Sequence, residues 1–302
     1  MSLRWKLVAI LSVCAALYTV LISLILFLVV LPSFSQLELN EGREDLNRLT
    51  EQVEREVESV DTLCRDWSAW DDMYRFVVQP DSARMAAYEE LNLNLLWYRQ
   101  NRLNLLYVVN LEGRVVWGRT YQDPTVRKAS PVAVAEFPAE PWPPSNSLLC
   151  HPPAWSPLLG VLPTSIGLMM ISCRPITDSR MQAAPEGTLV MGRLLDDKMT
   201  AGICTLAQVR GGLISAAGGL SAIEGEALVA AGAGGDPVVV QEDPEVLRLY
   251  RAINGVLGTP ALVVRADIAR DITGRGNAAV LFAVVSTLMS AVLVFAVVLV
   301  LL

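Results

Sequence analysis

Residues 103–121, Leu-Asn-Leu-Leu-Tyr-Val-Val-Asn-Leu-Glu-Gly-Arg-Val-Val-Trp-Gly-Arg-Thr-Tyr, read as two strands, Leu103 to Val109 and Arg114 to Tyr121, joined by Asn110-Leu111-Glu112-Gly113. β-branched and aromatic side chains suit a pleated, half-buried surface. The glycine stands where a tight turn wants a left-handed residue. Working outward from this hairpin, further strands are expected at Ser165 to Ser172, Gly187 to Leu195, Pro237 to Gln241, Leu247 to Val256 and Ala261 to Ile268. An amphipathic helix should follow Asp196-Asp197 and run to about Val209, its acidic start suited to the positive end of a helix. Most successive strands have no full crossover helix between them, which favours an antiparallel sheet and an α+β fold.

Upstream, the periodicity predicts one helix of about 40 residues that leaves an apolar run after Pro32 and reaches on the order of 60 Å. Its stripe is Leu46, Leu49, Val53, Val57, Val60 and Leu63, with Glu56 as a break, and it continues through Trp67, Trp70, Tyr74 and Val77 until Pro80. The first half can serve as a stalk or homodimer seam; the aromatic second half is suited to packing on the body of the domain. A second helix is expected at Ser82 to Gln100. Ten of the 17 prolines fall between Pro124 and Pro163, which predicts an insertion, about 122–163, with little regular structure. The Gly- and Ala-rich stretch from Gly211 to Gly235 carries no assignment.

Two charge-free runs, Leu7 to Leu31 and Ala278 to Leu302, flank all of this. Each would reach roughly 37 Å as a helix, enough to cross a hydrocarbon core of about 30 Å. The first is twice as long as a secretory apolar segment and lacks a small-x-small cleavage site, so an uncleaved anchor is expected. Arg4 and Lys6 keep residues 1–6 in the cytoplasm by the positive-inside rule and send 32–277 across the membrane. With those two set aside, 22 basic residues face 31 acidic ones, which argues against nucleic acid and against docking on anionic lipid. Cys14 lies in the first run. Cys64, Cys150, Cys173 and Cys204 would meet an oxidising compartment. Cys150 and Cys173 flank a Pro-rich excursion and are the candidate disulfide, although four cysteines allow three pairings.

The densest constellation is Asp66-Trp67-Ser68-Ala69-Trp70-Asp71-Asp72-Met73-Tyr74-Arg75-Phe76. On a continuous helix Trp67, Trp70, Asp71 and Tyr74 share one face, so a carboxylate would sit among three rings. Trp67, Trp70, Asp71, Asp72 and Tyr74 are the candidate ligand-binding residues; a core-facing helix with Asp71 satisfied by an arginine or by backbone amides is the structural alternative. His151, the one histidine, sits in a Pro-rich loop. No acid–base pair, nucleophile triad, metal set or phosphate loop can be built by spacing, so no cofactor, metal or catalytic residue is expected.

Those residues, with the Asn110–Gly113 hairpin and Val115-Val116-Trp117-Gly118, Gly187-Thr188-Leu189-Val190-Met191-Gly192-Arg193-Leu194-Leu195, and Gly258-Thr259-Pro260-Ala261-Leu262 leading to Ala269-Arg270-Asp271-Ile272, resemble the fourth family of CHASE domains, extracytoplasmic sensory modules of bacterial and archaeal receptors. The resemblance covers most of 40–275. It implies a PAS- or Cache-like sensor, with an output module after the second span: a GGDEF or EAL cyclic-di-GMP enzyme, or a histidine kinase. No output motif occurs between Met1 and Leu302, so the expectation is a non-enzymatic input module whose output lies elsewhere, in a separate signalling protein or a part not present here. It would respond to a small-molecule or protein ligand. A bitopic scaffold with a protein-binding outer domain is the alternative.

Overall fold

The computed structural model describes residues 3–79, 82–150, 155–231, 237–243 and 245–301. The chain divides into two compact units, one of Met1–Glu44, Val239–Arg248 and Asp267–Leu302, the other of Asp45–Val238 and Leu249–Ala266.

In the first unit, helix α1 (Leu3–Ile25) passes through a π-helical turn at Leu26–Val30 into helix α2, which continues to Ser68. Pro32 explains the wide turn. It has no N–H to donate, and in a regular α-helix its ring would press on the carbonyl four residues earlier. The chain accommodates this by bonding the Leu31 N–H to the Leu26 carbonyl, five residues back. Helix α1 packs along the last helix of the chain, Asp271–Leu301, and both are long and apolar enough to cross a membrane. At the start of that last helix Glu38, 1% exposed, accepts hydrogen bonds from the Thr273 N–H at 2.6 Å and the Thr273 hydroxyl at 2.5 Å, and lies 3.5 Å from Arg270 Nε. A carboxylate from α2 thus satisfies orphan donors and the positive end of the returning helix. Gly276 is needed beside it: a Cβ there would sit 2.3 Å from the Phe34 ring.

The second unit is built on a five-stranded, fully antiparallel sheet: β1 (Leu105–Asn110), β2 (Val115–Thr120), β3 (Leu158–Thr164), β4 (Gly167–Pro175) and β5 (Gly187–Leu194), in the order β2-β1-β5-β4-β3. The expected hairpin is present. Asn110 Oδ1 accepts from the Arg114 N–H at 2.9 Å, and Gly113 takes φ +78°. Central strands β1 and β5 are buried on both faces, which is why they read as continuous apolar runs. One face is covered by Val60 and Cys64 of α2 and by Met73, Phe76 and Tyr98 of the helices that follow it.

The Pro-rich insertion covers the other face. It has little regular structure, as expected: between 122 and 157 the described residues make one isolated bridge, Val134 to Phe137. Yet Val134, Phe137, Trp142, Leu148, Leu149 and Cys150 are buried against Leu105, Tyr107, Val109, Ile171 and Cys173. The Tyr107 hydroxyl donates to the Phe137 carbonyl at 2.9 Å and the Trp142 N–H to the Gly113 carbonyl at 2.7 Å. Its last residues belong to β3, an edge strand, where Pro163 costs no ladder bond that the sheet needs.

After β5, Asp196 caps helix α6's expected start. Its side chain accepts from the Met199 N–H at 2.7 Å, and the helix spans Asp197–Ala207. The unassigned Gly/Ala stretch holds strand β6 (Gly211–Ser215) and a helix at Ala222–Ala231. With β7 (Val238–Asp243), β8 (Val246–Asn254) and β9 (Pro260–Ala269) it completes a second sheet, ordered β6-β9-β8-β7. The fold is α+β with two antiparallel sheets where one was expected.

The heptad-like stripe of α2 faces inward. Leu46, Leu49, Val53, Val57 and Val60 are buried within the chain, so they are not available as a dimer seam. Two ion pairs hold α2 to the first sheet. Asp61 accepts from Arg174 Nε at 2.8 Å and Nη2 at 2.6 Å and from the Ser172 hydroxyl at 2.7 Å, while Glu56 accepts from Arg193 Nη1 at 2.9 Å. Near the middle of the helix, Arg251 of β8 donates to Asn47 at 2.7 Å.

Candidate functional site

The single long helix expected through Val77 is interrupted. Helix α2 ends at Ser68, Trp70 is extended (φ −127°, ψ 128°), and α3 begins at Asp71 and ends at Val78. The cause lies far along the chain. The Ser68 carbonyl accepts from the Thr177 N–H at 2.9 Å, and the Ser179 hydroxyl accepts from the Asp71 N–H at 3.1 Å. Asp71 answers by accepting from the Ser179 N–H at 2.9 Å, a reciprocal cap at the start of α3. That hydrogen bond from the Ser179 backbone, with one from the Ser179 hydroxyl, holds the exposed Asp71 carboxyl below its ordinary value. The helix expected over 82–100 is likewise split into α4 (Ser82–Asn92) and α5 (Leu95–Asn101) by Asn94, whose side chain accepts from the Trp97 N–H at 3.0 Å.

The break redistributes the candidate residues. Trp67 and Trp70 remain in contact, with ring centroids 5.3 Å apart, and Tyr74 is half-buried against the same core. Asp71 does not sit among the rings; it faces Ser179. Asp72 is exposed and pairs with Arg75 at 3.3 Å, one turn along α3. The rings join partners that the 66–76 motif does not contain: Trp67 meets Trp97 at 4.6 Å, Trp70 meets Tyr88 at 6.1 Å, and Tyr98 meets Tyr121 at 4.9 Å. Leu96-Trp97-Tyr98-Arg99 was the local signal for this second half of the cluster. Two polar hydrogens within it, on Tyr88 Oη and Trp117 Nε1, have no acceptor among the described residues. Beside α3, a cavity of about 380 Å³ lies against the β1–β2 turn, lined by Val77, Val78, Leu111, Glu112, Arg114 and Glu186.

Because Asp71 is engaged with Ser179, Asp71→Ala should leave the aromatic packing intact and speed hydrogen exchange at the Ser179 amide. Asp71→Asn, which keeps the acceptor oxygen, should preserve most of that protection; equal exchange in wild type and Asp71→Ala would show that the cap is not maintained in solution.

Cys150 and Cys173 share one core face but are free thiols here, so the expected cross-link is not made in this structure. Burial raises the Cys150 thiol to about 11 and the Cys173 thiol well above its ordinary value; both are protonated and unreactive at neutral pH. Cys64, on the opposite face, is raised to about 12 by burial. His151 lies outside the described residues.

A long helix laid on an antiparallel sheet of order 2-1-5-4-3, followed by a second sheet, defines the PAS- and Cache-like class of sensor domains. The chain belongs to the CHASE4 family: the CHASE4 domain matches residues 53–211, which takes in the C-terminal part of α2, the first sheet and α6. It is 22% identical over 227 residues to the methanogenesis regulatory histidine kinase FilI of Methanothrix harundinacea (strain 6Ac), an alignment covering 74% of this chain and 24% of that kinase. The chain thus spans about a quarter of that relative. In fold it is similar to the extracellular domain of vpHK1S-Z8, assigned as a histidine kinase, with a TM-score of 0.51 and 10% identity over 80% of this chain and 95% of that one. A domain of a sensory box/GGDEF family protein from Vibrio parahaemolyticus gives 0.52 and 10% over 78% and 99%.

Proposed function

We propose that this chain is the membrane-anchored, non-catalytic input module of a signalling receptor. Residues 7–31 and 278–302 would cross the membrane, 1–6 lie in the cytoplasm and 32–277 outside. The observation that carries the reading is the Glu38 clamp. The helix that rises from the first apolar segment is bonded through a buried carboxylate to the start of the second, so a change in α2 has a polar route to the returning helix. The aromatic cluster around Trp67, Trp70 and Tyr74 is the proposed ligand-sensitive region, its two unmatched donors suited to a small acceptor-bearing ligand. The output, a histidine kinase or cyclic-di-GMP enzyme, would be supplied beyond this chain. A homodimer would have to run through the apolar helices or the outer face of α2, since the inner stripe is buried.

Two measurements test this. Alkaline phosphatase inserted near residue 130 should be active in cells and inactive when fused at residue 2; the reverse pattern would sink the topology. With a histidine-kinase output joined after Leu302, Glu38→Ala should shift basal kinase activity at least several-fold, because the Thr273 amide and hydroxyl lose their acceptor and Arg270 its counter-charge. Activity unchanged from wild type would remove the clamp from the signal path.

A further inference from the structure

A second cavity, of about 430 Å³, lies between α5, the loop at 122–125 and α6, on the other side of the first sheet's strand ends from the aromatic motif's capping loop. It is lined by the cations Arg99, Arg102, Arg193 and Lys198 and by the apolar side chains of Leu194, Met199, Ile203 and Leu206. Its three carboxylates are already occupied. Glu56 pairs with the buried Arg193, Asp123 accepts from the Thr125 N–H and hydroxyl at 2.8 and 2.6 Å, and Asp196 caps α6. Arg99 donates to the Pro124 and Val126 carbonyls at 3.3 Å each. Among the described residues Arg102 and Lys198 have no ion-pair partner, and Arg102 also lines the adjoining cavity of about 440 Å³.

Arg102 is held there at a conformational cost. It ends α5 in the left-handed region (φ 53°, ψ 36°), uncommon for a residue with a side chain, and its carbonyl is fixed by Arg193 Nε at 2.9 Å. Burial lowers the Arg193 guanidinium's basicity while Glu56 supports its charge, and Arg102 adds a second positive group beside it. A Cβ added at Gly202 would meet nothing within 4 Å, so the space above α6 is open.

We infer that this cavity is a binding site for a small organic carboxylate bearing an apolar chain or ring. Its carboxylate would take the open donors of Arg102 and Lys198, and its apolar part would lie on Met199, Ile203 and Leu206. The assignment is independent of whether the aromatic cluster binds anything.

The test uses the full chain in lipid nanodiscs, with thermal unfolding followed in the presence of acetate, hexanoate, phenylacetate, hexan-1-ol, hexylammonium and inorganic phosphate. Hexanoate or phenylacetate should stabilise saturably, and the alcohol and the ammonium should not. Arg102→Gly suits the left-handed backbone, so it should fold at least as well as wild type while weakening carboxylate binding ten-fold or more. Gly202→Leu should keep α6 and block the site. Absence of saturable stabilisation by any carboxylate, equal stabilisation by hexan-1-ol, or undiminished binding in Arg102→Gly would each overturn the assignment. Phosphate or acetate matching hexanoate would overturn its apolar half.

Discussion

Replacing Asp61 with alanine should lower the stability of the folded chain by about 3–5 kcal/mol, among the largest losses expected from any single side chain. The carboxylate accepts three hydrogen bonds, two from Arg174 and one from Ser172, at 2.6 to 2.8 Å, and neither partner of the ion pair is more than 18% exposed. Without it the Arg174 guanidinium stays in a largely dry groove between α2 and β4 with no counter-charge. The unfolding temperature should drop by roughly 10 °C, using about 2–4 °C per kcal/mol for a domain of this size. A triple variant, Asp61→Leu with Arg174→Leu and Ser172→Ala, should recover most of the loss, since a packed apolar replacement avoids the desolvation of both charges. An Asp61→Ala chain that melts with the wild type would show that the pair contributes nothing.

The same residue sets a pH signature. Burial pushes the Asp61 carboxyl up, but the hydrogen bonds from Arg174 and Ser172 and the Arg174 charge outweigh it, and the group is held below its ordinary value. A depressed folded pKa contributes stability that is complete above the unfolded value, about 3.9, and is lost as pH falls through the folded one. Wild type should therefore lose stability more steeply below about pH 4 than Asp61→Ala does. Parallel acid limbs for the two would contradict the assignment.

Gly113→Ala is the second large effect. The residue sits at φ +78°, where an L side chain costs about 1–2 kcal/mol. A Cβ there would also stand 2.1 Å from the Trp142 carbonyl oxygen, a backbone atom that cannot swing aside as a side-chain tip can. Either the β1–β2 turn or the insertion must move, and the hydrogen bond from the Trp142 N–H to the Gly113 carbonyl goes with it. We expect a total loss above about 3 kcal/mol, with Trp142 emission shifted to the red as its ring leaves the core. Gly258→Ala is the matched control. It has φ +77° but no atom within 4 Å of the new Cβ, so only the conformational part remains. Equal losses at the two positions would mean that the insertion does not press on the turn.

How much of this was legible beforehand follows from the range of the forces involved. The β1–β2 hairpin and the capped start of α6 are encoded locally, by alternating β-branched residues around a turn glycine and by Asp196 before its helix. The break at Trp70 is not, because its partners Thr177 and Ser179 lie more than a hundred positions away. Even so, Asp71-Asp72 is the same acidic start that marks α6, and continued aromatic spacing concealed it. The α2 stripe fixes an apolar face but not what covers it, so an intramolecular core and a dimer seam read alike. Proline content forecast the irregular structure of the described residues between 122 and 157 but hid strand β3 at Leu158–Thr164, and it carries no information on burial; Phe137 and Trp142 have no periodicity to betray that they roof a sheet. The candidate site was half visible. Its tryptophans meet as expected, whereas Asp71 is taken up in a cap, and the cationic cavity draws on positions 99, 102, 193 and 198, which nothing in the linear order associates.

The π-helical turn ahead of Pro32 can also be expressed as phase. A residue added to a helix without a full turn to absorb it displaces everything downstream by about 100° around the axis and about 1.5 Å along it. Leu26–Val30 holds one such residue in reserve at the point where the apolar helix gives way to α2. Removing one residue there and replacing Pro32 by alanine would restore unbroken winding and turn Glu38 away from its bearing on Thr273. The π-helical turn thus fixes an angular setting for α2, relative to the apolar helix before it, as well as its height.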